Sequence, residues 1–260
     1  MHLNDTVALV TGAGSGIGKA AALHLAAHGA KVAALGRTED ELNETVEAIK
    51  KAGGEALGII ADISDPDEMQ KAVDQTLKQW GKLNCVFANA GINGVWAPIE
   101  ELKLEEWQKT LDINLTGTFL TIQKSVPALK KQGGSIIVTS SINGTRTFSN
   151  AGATAYSTTK AGQVAMSKML ALELGQFNIR VNVICPGAIE TSIEESTEKR
   201  AIERVQVPAE FPEGDIPLTH GKPGTSEQVA QLVGFLASEA SSHITGTEIW
   251  IDGGQSLLRG

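Results

Sequence analysis

Short apolar runs of strand length alternate along the chain with longer segments whose apolar residues recur at helical spacing. The strand-like runs cover residues 6–11, 31–36, 55–62, 83–90, 134–141, 179–186 and 247–254. The helix-like segments cover residues 16–28, 39–52, 66–80, 104–131, 155–175 and 226–238. Strands that are apolar on both faces and joined by helical crossovers indicate a parallel sheet covered by helices on both sides. We therefore predict an α/β fold built on a doubly wound parallel sheet.

Segment 190–224 breaks this alternation. It is rich in charged residues, carries Pro208, Pro212 and Pro217, and is predicted to contain no strand. A long irregular insertion in a compact domain is usually functional, and this one follows the C-terminal end of a strand, where ligands bind in open parallel sheets. We interpret it as a lid over a bound ligand. The lid belongs to a single domain of residues 1–260, because no linker or charge run divides the chain.

The composition excludes several classes of partner and site. A formal net charge of −8 argues against nucleic acid and anionic membranes as partners. Cys85 and Cys185 lie in apolar runs, which favours small buried thiols over a disulfide or metal ligands, and we expect no metal site. We also expect no signal peptide and no membrane-spanning segment. A cytoplasmic protein is the resulting prediction.

A glycine-rich stretch, TGAGSGIG at residues 11–18, lies between the first strand and the first helix. Glycines let the backbone approach a pyrophosphate, and the helix start directs free N–H groups at that anion. The spacing, G-x-x-x-G-x-G, differs from the common G-x-G-x-x-G. We interpret it as a dinucleotide-binding turn whose candidate contacts are Gly12, Gly14, Ser15, Gly16, Ile17 and Gly18.

The residue after the second strand bears on the choice of dinucleotide. An acidic residue here usually accepts hydrogen bonds from the free ribose hydroxyls of NAD. This chain has Gly36 followed by Arg37, and a guanidinium suits a 2′-phosphate. We therefore favour NADP, with NAD possible. The alternative is an exposed arginine at a helix start that binds nothing.

Two further strand ends supply candidate cofactor contacts. Asp62, followed by Ile63, can accept a hydrogen bond from an adenine amino group, or Asp62 or Ser64 can simply start the next turn and helix. The stretch ANAG offers a flat surface for a ribose, and an ordinary strand-ending turn is the alternative. Its candidate contacts are Asn89, Ala90 and Gly91.

Tyr156 is the only tyrosine in the chain, and Lys160 follows it four positions later. Residues at this spacing lie on one side of a helix. The spacing alone is compatible with a solvated helix face and with a pair that transfers protons.

Together these features resemble the short-chain dehydrogenase/reductase family in its single-domain form. TGAGSGIG, ANAG and YSTTK occur in the family's order, followed by PGAIET and DGG, and the resemblance extends from Val7 to about Gly254. It implies a Rossmann-like sheet of about seven strands, a nicotinamide cofactor, and catalysis by four residues, Asn114, Ser141, Tyr156 and Lys160.

Each of the four residues has an implied role. Tyr156 is expected to donate or accept the proton, and a Lys160 ammonium roughly 5 Å away is expected to lower its pKa by ~2 units. Lys160 is also expected to hold the nicotinamide ribose. Ser141, rather than Ser140, precedes the family's x-x-G and is expected to bond the developing oxyanion. Asn114 is expected to position a water that links Lys160 to solvent, or else only to bond nearby backbone.

The stretch PGAIET is implied to close the nicotinamide end of the cofactor site. Pro186 and Gly187 turn the chain there. Ile189 is expected to bond the carboxamide through its backbone, and Thr191 to reach the carboxamide or a phosphate.

Substrate candidates are Trp96, Ser141, Asn143, Arg146 and Tyr156. Trp96 either stacks on a ring or anchors its own loop. Arg146 either pairs with a carboxylate or phosphate or is an exposed loop charge. The loop from Ser141 to Tyr156 is about two residues longer than in many family members, so the substrate is not carried over by analogy.

We expect NADPH-dependent reduction of a small carbonyl compound, with two enzymatic alternatives. One is an NAD-dependent sugar or polyol dehydrogenase. The other is a 3-oxoacyl thioester reductase, which Ser135 and Phe177 disfavour because basic docking residues are expected at such positions. A non-catalytic NAD(P)-binding sensor is disfavoured because all four catalytic positions are intact. The resemblance also implies a homotetramer, with helices 104–131 and 155–175 at one interface and residues 229–238 and the last strand at the other.

Overall fold

The computed structural model of the chain describes residues 2–207 and 210–259. Pro208 of the predicted lid lies outside these residues, as do the two ends of the predicted domain. The strands are β1 (Val7–Thr11), β2 (Lys31–Gly36), β3 (Glu55–Ile60), β4 (Cys85–Ala88), β5 (Gly94–Trp96), β6 (Gly134–Thr139), β7 (Ile179–Pro186), β8 (Thr197–Lys199) and β9 (Glu248–Ile251).

Seven of these strands form one parallel sheet in the order β3-β2-β1-β4-β6-β7-β9. Every residue of β1 and β4 is buried, as expected for central strands covered on both faces. The strand order reverses between β1 and β4, and such a reversal opens a crevice at the C-terminal edge of the sheet. The predicted doubly wound, Rossmann-like fold is therefore confirmed.

Helices cover both faces of the sheet. They are α1 (Gly16–Ala27), α2 (Glu39–Lys51), α3 (Pro66–Trp80), α4 (Leu104–Leu111), α5 (Gly117–Leu129), α6 (Thr154–Gly175), α7 (Ser226–Ala237) and α8 (Gln255–Arg259). One core layer joins α1, α2 and α7 through Leu25, Leu42 and Val233. The other joins α3 and α5 through Met69 and Ile122. Within the part of the chain that the structure describes, no helix combines the length and apolarity needed to cross a membrane.

The prediction that segment 190–224 contains no strand is wrong. Strand β8 lies inside this segment and pairs in parallel with β5, with Thr197 opposite Gly94. The backbone N–H of Arg200 extends the pairing by donating to the Trp96 carbonyl at 2.9 Å. A strand of three residues that pairs with a distant segment leaves no periodic pattern in the sequence, which is why it was not predicted.

The predicted helix 104–131 is interrupted. A π-helical turn, Asp112–Thr116, separates α4 from α5. Such turns loosen the regular hydrogen bonding of a helix and occur frequently at functional sites. This one places Asn114 beside the crevice of the sheet, where the remaining predicted catalytic residues also lie.

Candidate active site

A cavity of about 940 Å³ opens at the C-terminal edge of the sheet. Its lining joins the glycine-rich turn after β1 to the ends of β2, β4, β6 and β7 and to residues 192–196 of the lid segment. The cavity has two parts. The nucleotide part contains Gly12, Arg37 and Asp62, and the substrate part contains Trp96 and Asn143.

The glycine-rich turn fits a phosphate group. Gly12 and Gly16 have φ angles of +67° and +50°, which favour glycine. Ser15, the N-cap of α1, makes no side-chain capping bond, so the first-turn N–H groups remain open to an anion. Gly18 does not line the cavity. A Cβ there would lie 2.0 Å from the Gly12 carbonyl oxygen, so glycine is needed for close packing of helix against turn.

The ANAG turn is held by side chains from two strands. Thr11 Oγ1 accepts hydrogen bonds from the N–H groups of Asn89 (2.9 Å) and Ala90 (3.1 Å). Thr139 Oγ1 donates to Asn89 Oδ1 at 3.0 Å. The backbone of Asn89–Gly91 therefore forms a fixed wall of the cavity, packed against the glycine-rich turn at Gly12. Sequence reasoning missed Thr11, whose only signal is its position immediately before the first glycine.

Arg37 and Asp62 face each other at the far end of the nucleotide part. Arg37 Nη1 lies 3.6 Å from Asp62 Oδ2, and both side chains are at least partly exposed. The other carboxylate oxygen of Asp62 accepts from Ser64 N (2.8 Å) and Ser64 Oγ (2.6 Å). Asp62 therefore also forms the turn that the sequence offered as an alternative. The helix α3 is capped by Asp65 and by neither Asp62 nor Ser64. Partial burial opposes ionisation of Asp62, but the Ser64 hydrogen bonds and the Arg37 charge hold its pKa below the usual value.

Glu41 is a cavity residue that sequence reasoning missed. It lies in the first turn of α2, and its carboxylate would be 3.0 Å from a Cβ added at Gly14. The nucleotide part therefore holds both Glu41 and Arg37. The Glu41 carboxylate repels a 2′-phosphate, and the Arg37 guanidinium attracts it.

The PGAIET stretch lines the opposite end of the cavity, where Pro186, Gly187, Ile189 and Thr191 all contribute. Gln255 of α8 fixes this turn, because its Oε1 accepts a hydrogen bond from the Ala188 N–H at 2.8 Å. The sequence pattern gave no signal for Gln255.

Tyr156 and Lys160 lie in the first turns of α6 and are 7% and 3% exposed. Ser141 is the polar neighbour that acts to lower the pKa of the Tyr156 phenol. Lys160 Nζ donates to the Thr139 carbonyl at 2.9 Å and lies 5.5 Å from the centre of the Tyr156 ring. Ser140 instead donates to the Lys160 carbonyl at 2.8 Å. Ser141, not Ser140, is thus the serine beside the phenol.

The expectation that Lys160 lowers the pKa of Tyr156 does not hold in the cofactor-free chain. Burial disfavours the phenolate and raises the pKa of Tyr156, and the hydrogen bond to Ser141 offsets this only in part. Burial also lowers the pKa of Lys160 to about 8. The cation that was expected to stabilise the phenolate is therefore itself destabilised by the same low-dielectric surroundings.

Asn114 is fully buried behind the cavity, and its polar atoms are engaged. Its Oδ1 accepts from the Ile92 N–H (2.8 Å), and its Nδ2 donates to the Ile92 carbonyl (2.8 Å) and to Thr159 Oγ1 (3.2 Å). Its backbone carbonyl accepts from Gln163 Nε2 at 2.7 Å. The Asn114 side chain therefore bonds the backbone of Ile92, as in the second of the two expectations for this residue. It joins the loop after β4 to α6.

Four of the five substrate candidates line the cavity, Ser141 and Tyr156 among them, and one does not. Trp96 and Asn143 are lining residues. The Trp96 indole N–H donates to the Asn93 carbonyl at 3.2 Å, so this side chain also anchors its own loop. Arg146 is not among the lining residues. Its guanidinium stacks on Trp250 at 3.5 Å from the ring centre and packs the loop against β9.

Comparison with known proteins agrees with this geometry. A family model described as enoyl-(acyl carrier protein) reductase matches residues 12–256. The chain belongs to the short-chain dehydrogenase/reductase family.

Three members of the family are particularly similar. The 3-oxoacyl-(acyl-carrier-protein) reductase FabG of Thermotoga maritima is 37% identical over 255 residues, which cover 98% of this chain and 99% of the relative. A solved 3-ketoacyl-ACP reductase from Sinorhizobium meliloti 1021 is 56% identical, with a TM-score of 0.94 over 97% of this chain and 100% of that chain. A 3-ketoacyl-(acyl-carrier-protein) reductase from Brucella melitensis, solved with NADH, is 30% identical, with a TM-score of 0.86 over 98% and 99% of the two chains.

Membership of the short-chain dehydrogenase/reductase family defines the class of reaction. The chain is an NAD(P)-dependent oxidoreductase that acts between an alcohol and a carbonyl compound. The cavity described above offers a phosphate-binding turn at one end and the Tyr156–Ser141 pair at the other.

Burial of Lys160 makes the stability of the cofactor-free chain depend on pH. Below pH ~8 the buried ammonium destabilises the folded state. Between about 8 and the ordinary lysine value the unfolded chain binds more protons than the folded chain, so stability rises with pH. Against Lys160→Met, the wild-type chain should gain about 2 kcal/mol in unfolding free energy from pH ~7.5 to ~9.5. Urea unfolding of both proteins at the two pH values measures this. If the difference in unfolding free energy between the two proteins is the same at both pH values, burial of the Lys160 ammonium does not destabilise the folded chain.

Proposed function

We propose that this enzyme reduces a ketone with NADPH, and that Tyr156 transfers the proton. The observation that carries the proposal is that Tyr156 and Ser141, both buried, line one cavity that begins at a phosphate-binding turn. Lys160 lies one helical turn further along α6, with its ammonium bonded to the last carbonyl of β6.

The nucleotide part of the cavity offers suitable groups for a nicotinamide dinucleotide along its whole length. The glycine-rich turn and the first turn of α1 would hold the pyrophosphate. The wall of Asn89, Ala90 and Gly91 would carry a ribose, and Asp62 with Ile63 would meet the adenine. Pro186 to Thr191 would enclose the nicotinamide, and Lys160 would bond its ribose. When bound, the nicotinamide exchanges a hydride with the carbon of the substrate.

The chain's own residues handle the proton. A carbonyl oxygen that becomes an alkoxide needs a hydrogen-bond donor and then a proton. Ser141 donates to the substrate oxygen, and the protonated Tyr156 gives up its proton to it. The raised pKa of Tyr156 keeps the phenol protonated at neutral pH, which suits the reductive direction. The oxidative direction needs phenolate and is favoured as pH rises.

Arg37 supports NADP as the cofactor. Its guanidinium lines the nucleotide part and, among the described residues, is paired only with the partly exposed Asp62, so it can turn to a 2′-phosphate at little cost. Glu41 opposes this preference because its carboxylate lies close to Gly14. We assign Arg37 the larger effect because of its forked donors.

A second candidate activity is reduction of a 3-oxoacyl thioester. The names of the Thermotoga maritima and Sinorhizobium meliloti relatives favour it. The two candidates share the same cofactor and proton chemistry and differ only in what the substrate part of the cavity accepts.

We further propose a cytoplasmic homotetramer. Cys85 and Cys185 are free and buried, which suits a reducing compartment. Large apolar side chains of α5 and α6 are exposed, with Phe119 at 45%, Met169 at 69% and Leu172 at 83%. Large exposed apolar side chains on these two helices favour an interface that covers them. Light scattering should give four times the 27.3 kDa of one chain, and a monomer mass would reject the assembly.

Tyr156→Phe should bind NADP⁺ as the wild type does and lose turnover by ~100-fold or more, because the ring remains and only the proton donor is removed. Calorimetry gives the binding and NADPH oxidation with a ketone gives the rate. Thr76→Val, which removes a buried hydroxyl from α3, is the control for a generic effect. Turnover near the wild-type rate would reject Tyr156 as the proton donor.

Arg37→Asp should weaken NADP⁺ binding by about tenfold or more, which is about 1.4 kcal/mol, and leave NAD⁺ binding similar or tighter. Glu41→Gln is the matched test of the opposing charge and should tighten NADP⁺ binding. The ratio of the two dissociation constants is the measurement. A ratio unaffected by Arg37→Asp would place the phosphate elsewhere.

A further inference from the structure

Two polar atoms in the substrate part of the cavity have no hydrogen-bond partner. They are Asn143 Oδ1 and Thr147 Oγ1, both buried and both without a partner among the described residues. Asn143 and Thr147 line the cavity, and Thr147 is only 2% exposed. An unsatisfied buried polar group costs roughly 1–3 kcal/mol, and such groups need an explanation at a functional site.

Both residues lie beside the catalytic serine. The Asn143 N–H donates to Ser141 Oγ at 3.1 Å, so the two residues are in direct contact. Thr147 returns to the same turn, because its N–H donates to the Ile142 carbonyl at 3.0 Å. A substrate whose reacting oxygen bonds Ser141 therefore lies against the loop that carries these two side chains.

The loop that carries them is firmly held. Thr145 Oγ1 donates to the Ser141 carbonyl at 2.8 Å and accepts from the Trp250 indole N–H at 3.3 Å. Arg146 stacks on the same indole. Because the backbone is fixed, rotation of a side chain about its Cα–Cβ bond is enough to turn the Thr147 hydroxyl or the Asn143 amide towards a ligand.

The charges around the cavity exclude one class of substrate. Glu194 and Glu195 of the lid segment line the cavity and are exposed, and neither forms an ion pair with a described residue. Among the described lining residues, the basic side chains are Arg37, in the nucleotide part, and Lys160. The two carboxylates repel a carboxylate, a phosphate or an acidic carrier protein. Outside the nucleotide part, the one cation among the described lining residues is Lys160, and its ammonium is bonded to the Thr139 carbonyl.

We infer that the substrate is a neutral ketone with a hydroxyl on the carbon next to the carbonyl, and that Asn143 and Thr147 bind this hydroxyl. The hydroxyl donates to the Asn143 oxygen and exchanges a hydrogen bond with Thr147. A 3-oxoacyl thioester has no hydrogen-bond donor at the carbon beside its ketone and leaves the Asn143 amide oxygen unsatisfied. This inference rests on the proposed ketone reduction. The carbonyl carbon gains a hydride from NADPH, its oxygen gains the Tyr156 proton, and the products are a vicinal diol and NADP⁺.

A matched pair of substrates tests the assignment. In 2-methylcyclohexanone a methyl group replaces the hydroxyl of 2-hydroxycyclohexanone, so the two differ in hydrogen bonding and little in shape. For the wild-type enzyme, kcat/KM should be about tenfold or more higher with the hydroxy ketone. Acetoacetyl-coenzyme A, an anionic 3-oxoacyl thioester, should be the poorest of the three.

Thr147→Val and Asn143→Leu remove the polar groups with little change of size. Each should lower kcat/KM for the hydroxy ketone about tenfold and leave the methyl ketone within about twofold. The methyl ketone thereby reports whether a variant is folded and competent. Thr76→Val, the same change at a buried site outside the cavity lining, should alter neither value.

Three results would overturn the inference. One is equal loss on both ketones in the two variants, and another is no loss on either. The third is preference of the wild type for acetoacetyl-coenzyme A. In each of these the proposed function survives if Tyr156→Phe abolishes the NADPH oxidation. If no ketone or thioester is reduced in a Tyr156-dependent manner, the proposed function fails as well.

Discussion

Two reciprocal hydrogen bonds join α6 to the end of β6, and the active site depends on them. The Lys160 ammonium donates to the Thr139 carbonyl at 2.9 Å, and the Ser140 hydroxyl donates to the Lys160 carbonyl at 2.8 Å. They set the depth at which α6 lies against the sheet and therefore the position of Tyr156, one turn earlier. Ser141 follows Ser140 and meets the phenol. The position of Tyr156, and with it the geometry of the proposed proton transfer, thus depends on two backbone carbonyls, one of β6 and one of α6.

This arrangement keeps polar groups in surroundings that do not stabilise them. Burial lowers the pKa of Lys160 and raises that of Tyr156. Asn143 and Thr147 each hold one buried polar atom that has no hydrogen-bond partner in the part of the chain that the structure describes. Each of these groups would have a lower free energy in water, and an apolar residue in its place would make the folded chain more stable. Their coexistence around one cavity is expected where a cofactor and a substrate complete the hydrogen bonding, because catalytic sites trade folding stability for preorganised polar groups.

Strand and helix positions were predictable because burial on both faces leaves long apolar runs, as in β1 and β6. The phosphate-binding turn and the shared helix face of Tyr156 and Lys160 were also predictable, because both depend only on the spacing of residues that are close in the sequence. Strand β8 and the π-helical turn were not, because one depends on a distant partner and the other on local hydrogen bonding that no residue type specifies. The perturbed pKa of Tyr156 was misjudged for a related reason. The distance to Lys160 follows from sequence spacing, but the burial of both groups is a property of the whole fold.

The most direct test of this account is a crystal structure of the enzyme with NADP⁺. The account predicts the pyrophosphate on the glycine-rich turn, the 2′-phosphate against Arg37, and the nicotinamide between the Pro186–Thr191 segment and the Tyr156 hydroxyl, with its ribose bonded to Lys160. A nicotinamide ring bound away from Tyr156, or a dinucleotide bound outside the cavity at the sheet's C-terminal edge, would contradict it.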